Sequence, residues 1–339
     1  MKKRQTRINY DKWGRRFVLP FIIIYVVFSL IPLLSTFYYS FFEYYYRFGG
    51  AQKVGPNFIG LGNYITVFTE GKFFKYFGNT MIVWLMGFIP QIVISLLLAL
   101  WFTSNRLKIK AQGTFKTIIY MPNLVMAAAF SLLIQLLFST NGPINTLLTN
   151  SGLINEGIKF LDRTFTVRSL VAFMNFLMWF GNTTILLMAG IMGIDQSVIE
   201  SAQVDGASST QTFFKIVLPL LKPILLFVLV TSLIGGVQMF DIPQIFTEGK
   251  GGPNSSVLTI IMYINALMAP SKQYGLAGAV SVVLFIITVL LSVIMYVLTN
   301  SDEIKEKREI KKMNKGVKTK WNKRTSSWDQ EFHSTHKEH

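Results

Sequence analysis

Side chains able to bind or react are sparse in this sequence, and most of the polar ones interrupt long apolar runs. Gln135, Asn175, Trp179, Asn182 and Thr183, then Ser232 and Gln238 with Phe240 nearby, bring amides, hydroxyls and aromatic rings but no charge. Amides hydrogen-bond hydroxyls and rings stack on sugar faces, so this is the lining expected for an uncharged carbohydrate. The same residue types also serve as hydrogen-bonding glue between packed membrane helices. Asn175, Trp179, Asn182 and Thr183 stand three, four or seven apart when taken in pairs, which largely puts them on one helical face. Gly235 and Gly236 admit two readings, a roomier pocket or close helix packing.

A second polar stretch, Asp195 to Pro223, separates two of the apolar runs. Its composition predicts a short helix, a turn at Asp205-Gly206, a second amphipathic helix, and prolines (Pro219 and Pro223) that preset the next span. Gly206 suits the turn because it enters positive φ without steric cost. Ser197 and Glu200 also fit a capping box, in which Glu200 only reaches back to a free amide at the helix start.

Several chemistries are excluded. No Gly-rich phosphate loop ending in Lys-Ser/Thr is present, so this chain does not cradle ATP in the usual way. No metalloprotease, serine-hydrolase or kinase signature occurs, and no catalytic residue is assigned. The apolar runs are almost free of ionisable residues, with Asp241 at one margin, which argues against a proton-coupled carrier. There is no cysteine, so no disulfide or thiolate metal site. His333, His336 and His339 lie together in the last residues, where a solvated tail is favoured over a metal site and none is assigned.

The elements that must hold these residues are membrane helices. Of 339 residues 51% are hydrophobic and only 15% charged, where a soluble protein usually carries about 25%. Mean hydropathy is +0.43. Apolar runs of about 20 residues recur, so the chain reads as an all-α integral membrane protein. The net charge of +16 sits mainly in the two tails, which points to the positive-inside rule and not to nucleic acid. Residues 1–16 hold seven basic residues against Asp11 and are expected in the cytoplasm. Six spans follow from the apolar runs: Phe17–Phe42, Asn79–Thr103, Thr117–Ser139, Val167–Ile194, Ile224–Phe240 and Gly278–Thr299. Arg106, Lys108, Lys110 and Lys116 mark a cytoplasmic loop, and both termini are then cytoplasmic. Residues 257–268 are apolar but too short to span, as in a re-entrant or interfacial helix. The expected organisation is a basic segment 1–16, a six-span domain 17–300 and a charged cytoplasmic tail 301–339.

The stretch Glu200, Ser201, Ala202, Asp205, Gly206, Ala207, Phe213, Leu218, Pro219 resembles the EAA loop of ABC importer permeases. Ser201 replaces the second motif residue, and Asp195 stands where the sugar-importer branch usually has proline. Gly60-Leu61-Gly62-Asn63-Tyr64, Tyr120-Met121-Pro122, Gly142-Pro143-Ile144-Asn145, Thr247 to Pro253 and Tyr274-Gly275-Leu276-Ala277 are similar to further signatures of the carbohydrate, maltose-type branch. Span counting places the 195–223 loop on the cytoplasmic side independently of the motif.

The resemblance implies a six-helix type I importer permease (MetI-like) in a bacterial cell membrane, non-catalytic itself. Its partners would be a second homologous permease, two ATP-binding subunits that hold ATP and magnesium, and an extracytoplasmic solute-binding protein. The EAA residues would form the coupling helix against the ATPase, and the span after it, with Ser232, would contact substrate. The substrate expected is a di- or oligosaccharide. Two alternatives stand beside this reading. One is a permease of the same kind for a phosphodiester, peptide or polyamine, the last disfavoured by the scarcity of buried acids. The other is a channel or membrane sensor that needs no ATPase.

Overall fold

The computed structural model describes residues 10–104, 110–269, 271–301 and 310. Most of the basic segment 1–16, Arg106 and Lys108, the three histidines and nearly all of the 301–339 tail lie outside the described residues.

The chain opens with α1 (Tyr10–Tyr25), a π-helical turn over Val26–Leu30 and α2 (Ile31–Tyr39). Together Trp13–Tyr39 is long and apolar enough to cross a membrane. Its residues stay exposed along most of its length, from Phe17 to Leu34. A helix apolar on every side and left largely uncovered by the other described residues is suited to lipid or to another subunit.

The expectation of an all-α chain is corrected at the next element. An antiparallel hairpin, β1 (Phe42–Arg47) and β2 (Gln52–Phe58), pairs Arg47 with Gln52, Tyr46 with Lys53, and Phe42 with Phe58. Aromatic residues favour the pleated, half-buried surface of a strand, and Gly49 and Gly50 supply positive φ at the tip. The short helix α3 (Gly62–Thr69) is tied back to the end of α2 by the Gly60–Tyr64 signature. Asn63 Nδ2 donates to the carbonyls of Ser40 and Phe42 at 2.9 Å each, and the hydroxyls of Tyr64 and Ser40 meet at 2.6 Å.

The centre of the fold is the pair α4 (Lys72–Thr103) and α8 (Thr164–Met192), which make the most extensive helix contact in the chain. Gly87 permits it, because a Cβ there would lie 2.8 Å from the carbonyl oxygen of Ala172. Val83, Val171, Met174 and Leu187 are fully buried around this contact. Ser95 Oγ donates to the Phe180 carbonyl at 2.8 Å, a polar link within the apolar seam.

Span three is not one straight helix. α5 (Gln112–Leu124) and α6 (Ala127–Leu137) meet at 90°, with Val125 and Met126 extended between them. Pro122 removes a ladder donor beside the break, and Asn123 Nδ2 donates to the Met178 carbonyl at 2.9 Å, tying the bend to α8. The described residues therefore include five helices long and apolar enough to cross a membrane, or six if the bent pair counts as one span.

After α6, α7 (Pro143–Asn150) begins at Gly142-Pro143. Buried Asn145 organises this loop, its amide nitrogen reaching the carbonyls of Ser139, Thr140 and Ile158 while its oxygen accepts from the Ile158 amide. Beyond α8 come α9 (Gln196–Val204), α10 (Ser209–Thr212), a π-helical turn over Phe213–Val217 and α11 (Leu218–Leu220). The final elements are α12 (Lys222–Val237), α13 (Asp241–Phe246), α14 (Ile260–Met268) and α15 (Tyr274–Thr299). α14 has nine residues, too few to cross, and packs between α4 and α15.

Candidate functional site

Three helices, α4, α8 and α12, enclose a cavity of about 360 Å³. α8 contributes Asn175, Trp179, Asn182 and Thr183, and α12 contributes Ser232, Gly235 and Gly236. Seven of the nine residues singled out as a path thus share one wall system. The other two do not. Gln135 lies on α6 beside Glu248, and Gln238 lines a separate apolar groove between α12 and α15.

The sequence reading missed the contribution of α4. Trp84, Gly87, Phe88 and Gln91 face the cavity at helical spacing, and Gln91 is the one amide in the middle of that apolar span. That spacing, together with a lone polar residue, was the available signal. Thr231 and Phe227 of α12 and Met239, two residues beyond its end, complete that side.

No side chain lining the cavity is ionisable. Its polar groups are neutral and partly satisfied by one another. Gln91 Nε2 donates to Thr183 Oγ1 at 2.8 Å, and Trp84 Nε1 donates to Ser232 Oγ at 3.1 Å. Asn175 Nδ2 donates to the Val171 carbonyl and meets the Met239 sulfur at 3.3 Å. The hydroxyl hydrogens of Thr183 and Ser232 remain free to donate, and the amide oxygens of Gln91, Asn175 and Asn182 remain free to accept. A mixture of neutral donors and acceptors suits hydroxyl groups, which do both. A carboxylate or ammonium here would lose its hydration and meet no opposite charge among the described residues that line the cavity.

The two glycines serve different ends. A Cβ at Gly236 would come within 2.1 Å of the Trp84 ring, so Gly236 is the seat of that indole. Gly235 has nothing within 4 Å of a Cβ and opens onto the cavity. Trp84 is further held by stacking on Phe88, with ring centroids 5.2 Å apart.

The loop after α8 is built as two helices and a turn. Asp195 caps α9, its carboxylate accepting from the Ser197 amide at 3.0 Å. That bond holds the Asp195 carboxyl below its ordinary value. The Ser197–Glu200 capping box is therefore not formed, since Asp195 already occupies the cap. At the other end Gly206 takes φ +82°, with its amide on Gln203 and the Ala207 amide on the Ala202 carbonyl at 2.9 Å. This is a Schellman ending, which needs a left-handed residue where Gly206 stands. A capping box does form one helix later, between Ser208 and Gln211.

Thr212, Val217 and Leu221 anchor the second half of the loop in the core, with Phe213 and Leu218 half-buried beside them. α9 has no buried residue at all. Glu200, Ser201, Asp205 and Gly206 are exposed, Ala202 and Ala207 are half-buried, and Val204 is 87% exposed. α9 thus exposes apolar groups, Val198 and Val204, among small and acidic residues. Val204 was not foreseen from sequence.

One ionisable residue inside span four also went unnoticed. Arg168 of α8 donates from Nε to the Ser256 carbonyl at 3.0 Å and from Nη2 to Asn79 Oδ1 at 2.8 Å.

Comparison with known proteins agrees with this architecture. Residues 91–301 match the family described as the binding-protein-dependent transport system inner membrane component. The lactose transport system permease protein LacF of Rhizobium radiobacter is 33% identical over 290 residues, covering 85% of this chain and 94% of that protein. The arabinooligosaccharides transport system permease protein AraP of Bacillus subtilis is 28% identical, covering 84% of this chain and 88% of that one. Among solved structures, a bacterial ABC transporter that imports the acidic polysaccharide alginate superposes with a TM-score of 0.68 at 22% identity, covering 87% of this chain and 97% of that chain. A second structure of the alginate transporter, with a pentasaccharide-bound periplasmic protein, gives 0.65 at 22% identity, covering 89% and 98%. The chain belongs to the binding-protein-dependent ABC transport permeases.

Proposed function

We propose that this chain is the permease subunit of an ATP-driven importer of an uncharged di- or oligosaccharide, and that the cavity between α4, α8 and α12 is its half of the path. The observation that carries this reading is the lining itself: neutral amides, hydroxyls and aromatic rings, with no ionisable side chain. The names of the lactose and arabinooligosaccharide permeases support it. In this reading the bent pair α5–α6 is one of six spans, and the basic N-terminal segment keeps both termini in the cytoplasm.

α9 and the turn at Gly206 are the coupling element. They dock on a separate ATP-binding subunit, two of which hold ATP and magnesium, while a second homologous permease completes the path. Solute is delivered by an extracytoplasmic binding protein, as the pentasaccharide-bound protein is in the alginate system. Closure of the ATPase pair draws the two coupling helices together. α10 and the turn that follows, anchored through Val217 and Leu221, carry that motion into α12 and the cavity wall.

The test is uptake in proteoliposomes holding the complete transporter, with labelled lactose, an arabinotriose and a trigalacturonate as probes. ATP-dependent accumulation of a neutral saccharide that requires the binding protein is expected. Uptake confined to the trigalacturonate, or to none of the sugars, would overturn the reading.

A further inference from the structure

Several polar side chains within the spans are used up by the helices themselves. Thr184 Oγ1 donates to the Phe180 carbonyl at 2.7 Å, and Thr231 and Thr288 bond back to the Phe227 and Leu284 carbonyls in the same way. One pair is left half-used. Gln91 of α4 donates from Nε2 to Thr183 Oγ1 of α8 at 2.8 Å, while its Oε1 has no hydrogen-bond partner among the described residues. Thr183 accepts that bond and donates none, not even to the Trp179 carbonyl one turn back. Gln91 is 7% exposed and Thr183 5%. Among the described residues the only sealed side-chain polar atom without a partner is the Ser256 hydroxyl, so the free Gln91 oxygen is not sealed; it opens on the cavity that Gln91 lines.

A strut between α4 and α8 needs no such surplus. Ser95, one turn further along α4, links the two helices through a hydroxyl alone. A nine-tenths-buried amide with an unpaired acceptor is costly until something pairs it. Its bond to Thr183 fixes where that acceptor stands, beside the unused Thr183 hydrogen. An acceptor and a donor side by side fit one hydroxyl group, which donates to the first and accepts from the second. They do not fit an ether oxygen or a C–H group, which cannot do both.

The same face of α8 supplies a platform. Trp179 stands four residues before Thr183, about 6 Å along the helix, which is the scale of one sugar ring. Its indole is 49% exposed, lines the cavity, and makes no ring stack or hydrogen bond among the described residues. Trp84 and Phe88, by contrast, stack on each other. Gly235 of α12 has no atom within 4 Å of a Cβ, which keeps the space open.

Resting on the transport reading above, we infer that Gln91 is a specificity-determining residue: with Thr183 it reads one free hydroxyl of the sugar ring that stacks on Trp179. A saccharide that lacks this hydroxyl, or carries a substituent on it, passes poorly even when the binding protein delivers it.

The experiment measures import in proteoliposomes holding the complete transporter, with whichever of lactose and arabinotriose the wild type takes up and the full set of its monodeoxy analogues. Each rate is compared at equal saturation of the binding protein, whose affinity for each sugar is measured separately, because that protein also selects. In the wild type at least one monodeoxy analogue should be imported about tenfold or more less efficiently than the parent sugar. Gln91→Met keeps the side-chain length and removes both amide atoms; it should bring that ratio to within about twofold of unity, while import of the parent falls. Thr183→Val, of nearly the same shape, should shrink the ratio at the same position of the sugar, and it provides the test if Gln91→Met does not assemble. A strut would lower import of parent and analogue alike and leave the ratio unchanged, and that result overturns the inference. So does a wild type that imports every monodeoxy analogue as well as the parent, a result that needs no variant. A wild type that imports neither sugar overturns the transport reading, and this assignment with it.

Discussion

The contrast between Gly235 and Gly236 gives the sharpest test of the cavity's construction. In Gly236→Ala the new methyl would lie 2.1 Å from Trp84 Cδ1, 2.4 Å from Cγ and 2.8 Å from Nε1. To regain ordinary contact the indole must retreat by roughly 1 Å or more, off its stack with Phe88. Overpacking of this kind costs about 1–3 kcal/mol. The retreat also breaks the Trp84–Ser232 hydrogen bond, a further loss of about 1 kcal/mol. A destabilisation of about 2–4 kcal/mol is therefore expected, with the displaced ring entering the cavity. Gly235→Ala meets no atom within 4 Å, and as a helical Gly→Ala change it should gain up to about 1 kcal/mol. The assay is thermal unfolding of the detergent-purified complex, with tryptophan emission as a second reading. Equal damage from both substitutions, or an unperturbed Gly236→Ala protein, would refute the reasoning.

Other outcomes follow from the same geometry. Asn145→Ala should leave three carbonyls and the Ile158 amide short of partners and destabilise the 139–158 loop by about 2–4 kcal/mol; hydrogen exchange at Ile158 checks it. Asp195→Ala should fray the start of α9 in hydrogen exchange, whereas Asp195→Asn should preserve it as an alternative cap. Because the Asp195 carboxyl is held below its ordinary value, its contribution is full above the unfolded carboxylate range and is lost as pH falls through its lowered folded value. Exchange at the Ser197 amide against pH reads this directly. Gly206→Pro removes the amide bonded to Gln203 and cannot adopt φ +82°, and Glu200→Lys reverses the charge at Glu200 on the proposed docking face. Each should abolish transport while leaving membrane insertion intact, and normal uptake by a well-expressed variant would refute the coupling role.

The spans were legible because their apolar runs are long and almost uninterrupted, and hydrocarbon leaves the backbone few options but helix. The break at Val125 was not, since apolar residues lie on both sides and a proline within a membrane helix need not end it. The hairpin was hidden for a different reason: aromatic residues fill consecutive positions of Phe42–Arg47, which blurs the two-residue alternation that marks a strand. In the loop after α8, Gly206 was readable because its φ is dictated locally, whereas the Ser197–Glu200 cap lost to Asp195 two residues earlier. The polar face of α8 could be read from spacing alone. Its partner on α4 could not, because Gln91 and Trp84 acquire their setting only when α4 packs against α8 and α12. Gln135 looked equivalent to Gln91 in sequence, but the bend between α5 and α6 carries it elsewhere. Arg168 was readable in principle, as a charge inside a span.

The central claim, that an uncharged saccharide passes through this cavity, is tested most directly by thiol protection. The sequence has no cysteine, so Asn182→Cys is the only thiol in the chain. Its labelling rate by a small maleimide in the complete transporter should fall about tenfold when a transported neutral saccharide is present at ten times its dissociation constant. Val204→Cys, exposed on α9, should be unaffected by the sugar. Equal labelling of Asn182→Cys with and without saccharide, in a complex that still transports it, would contradict the account.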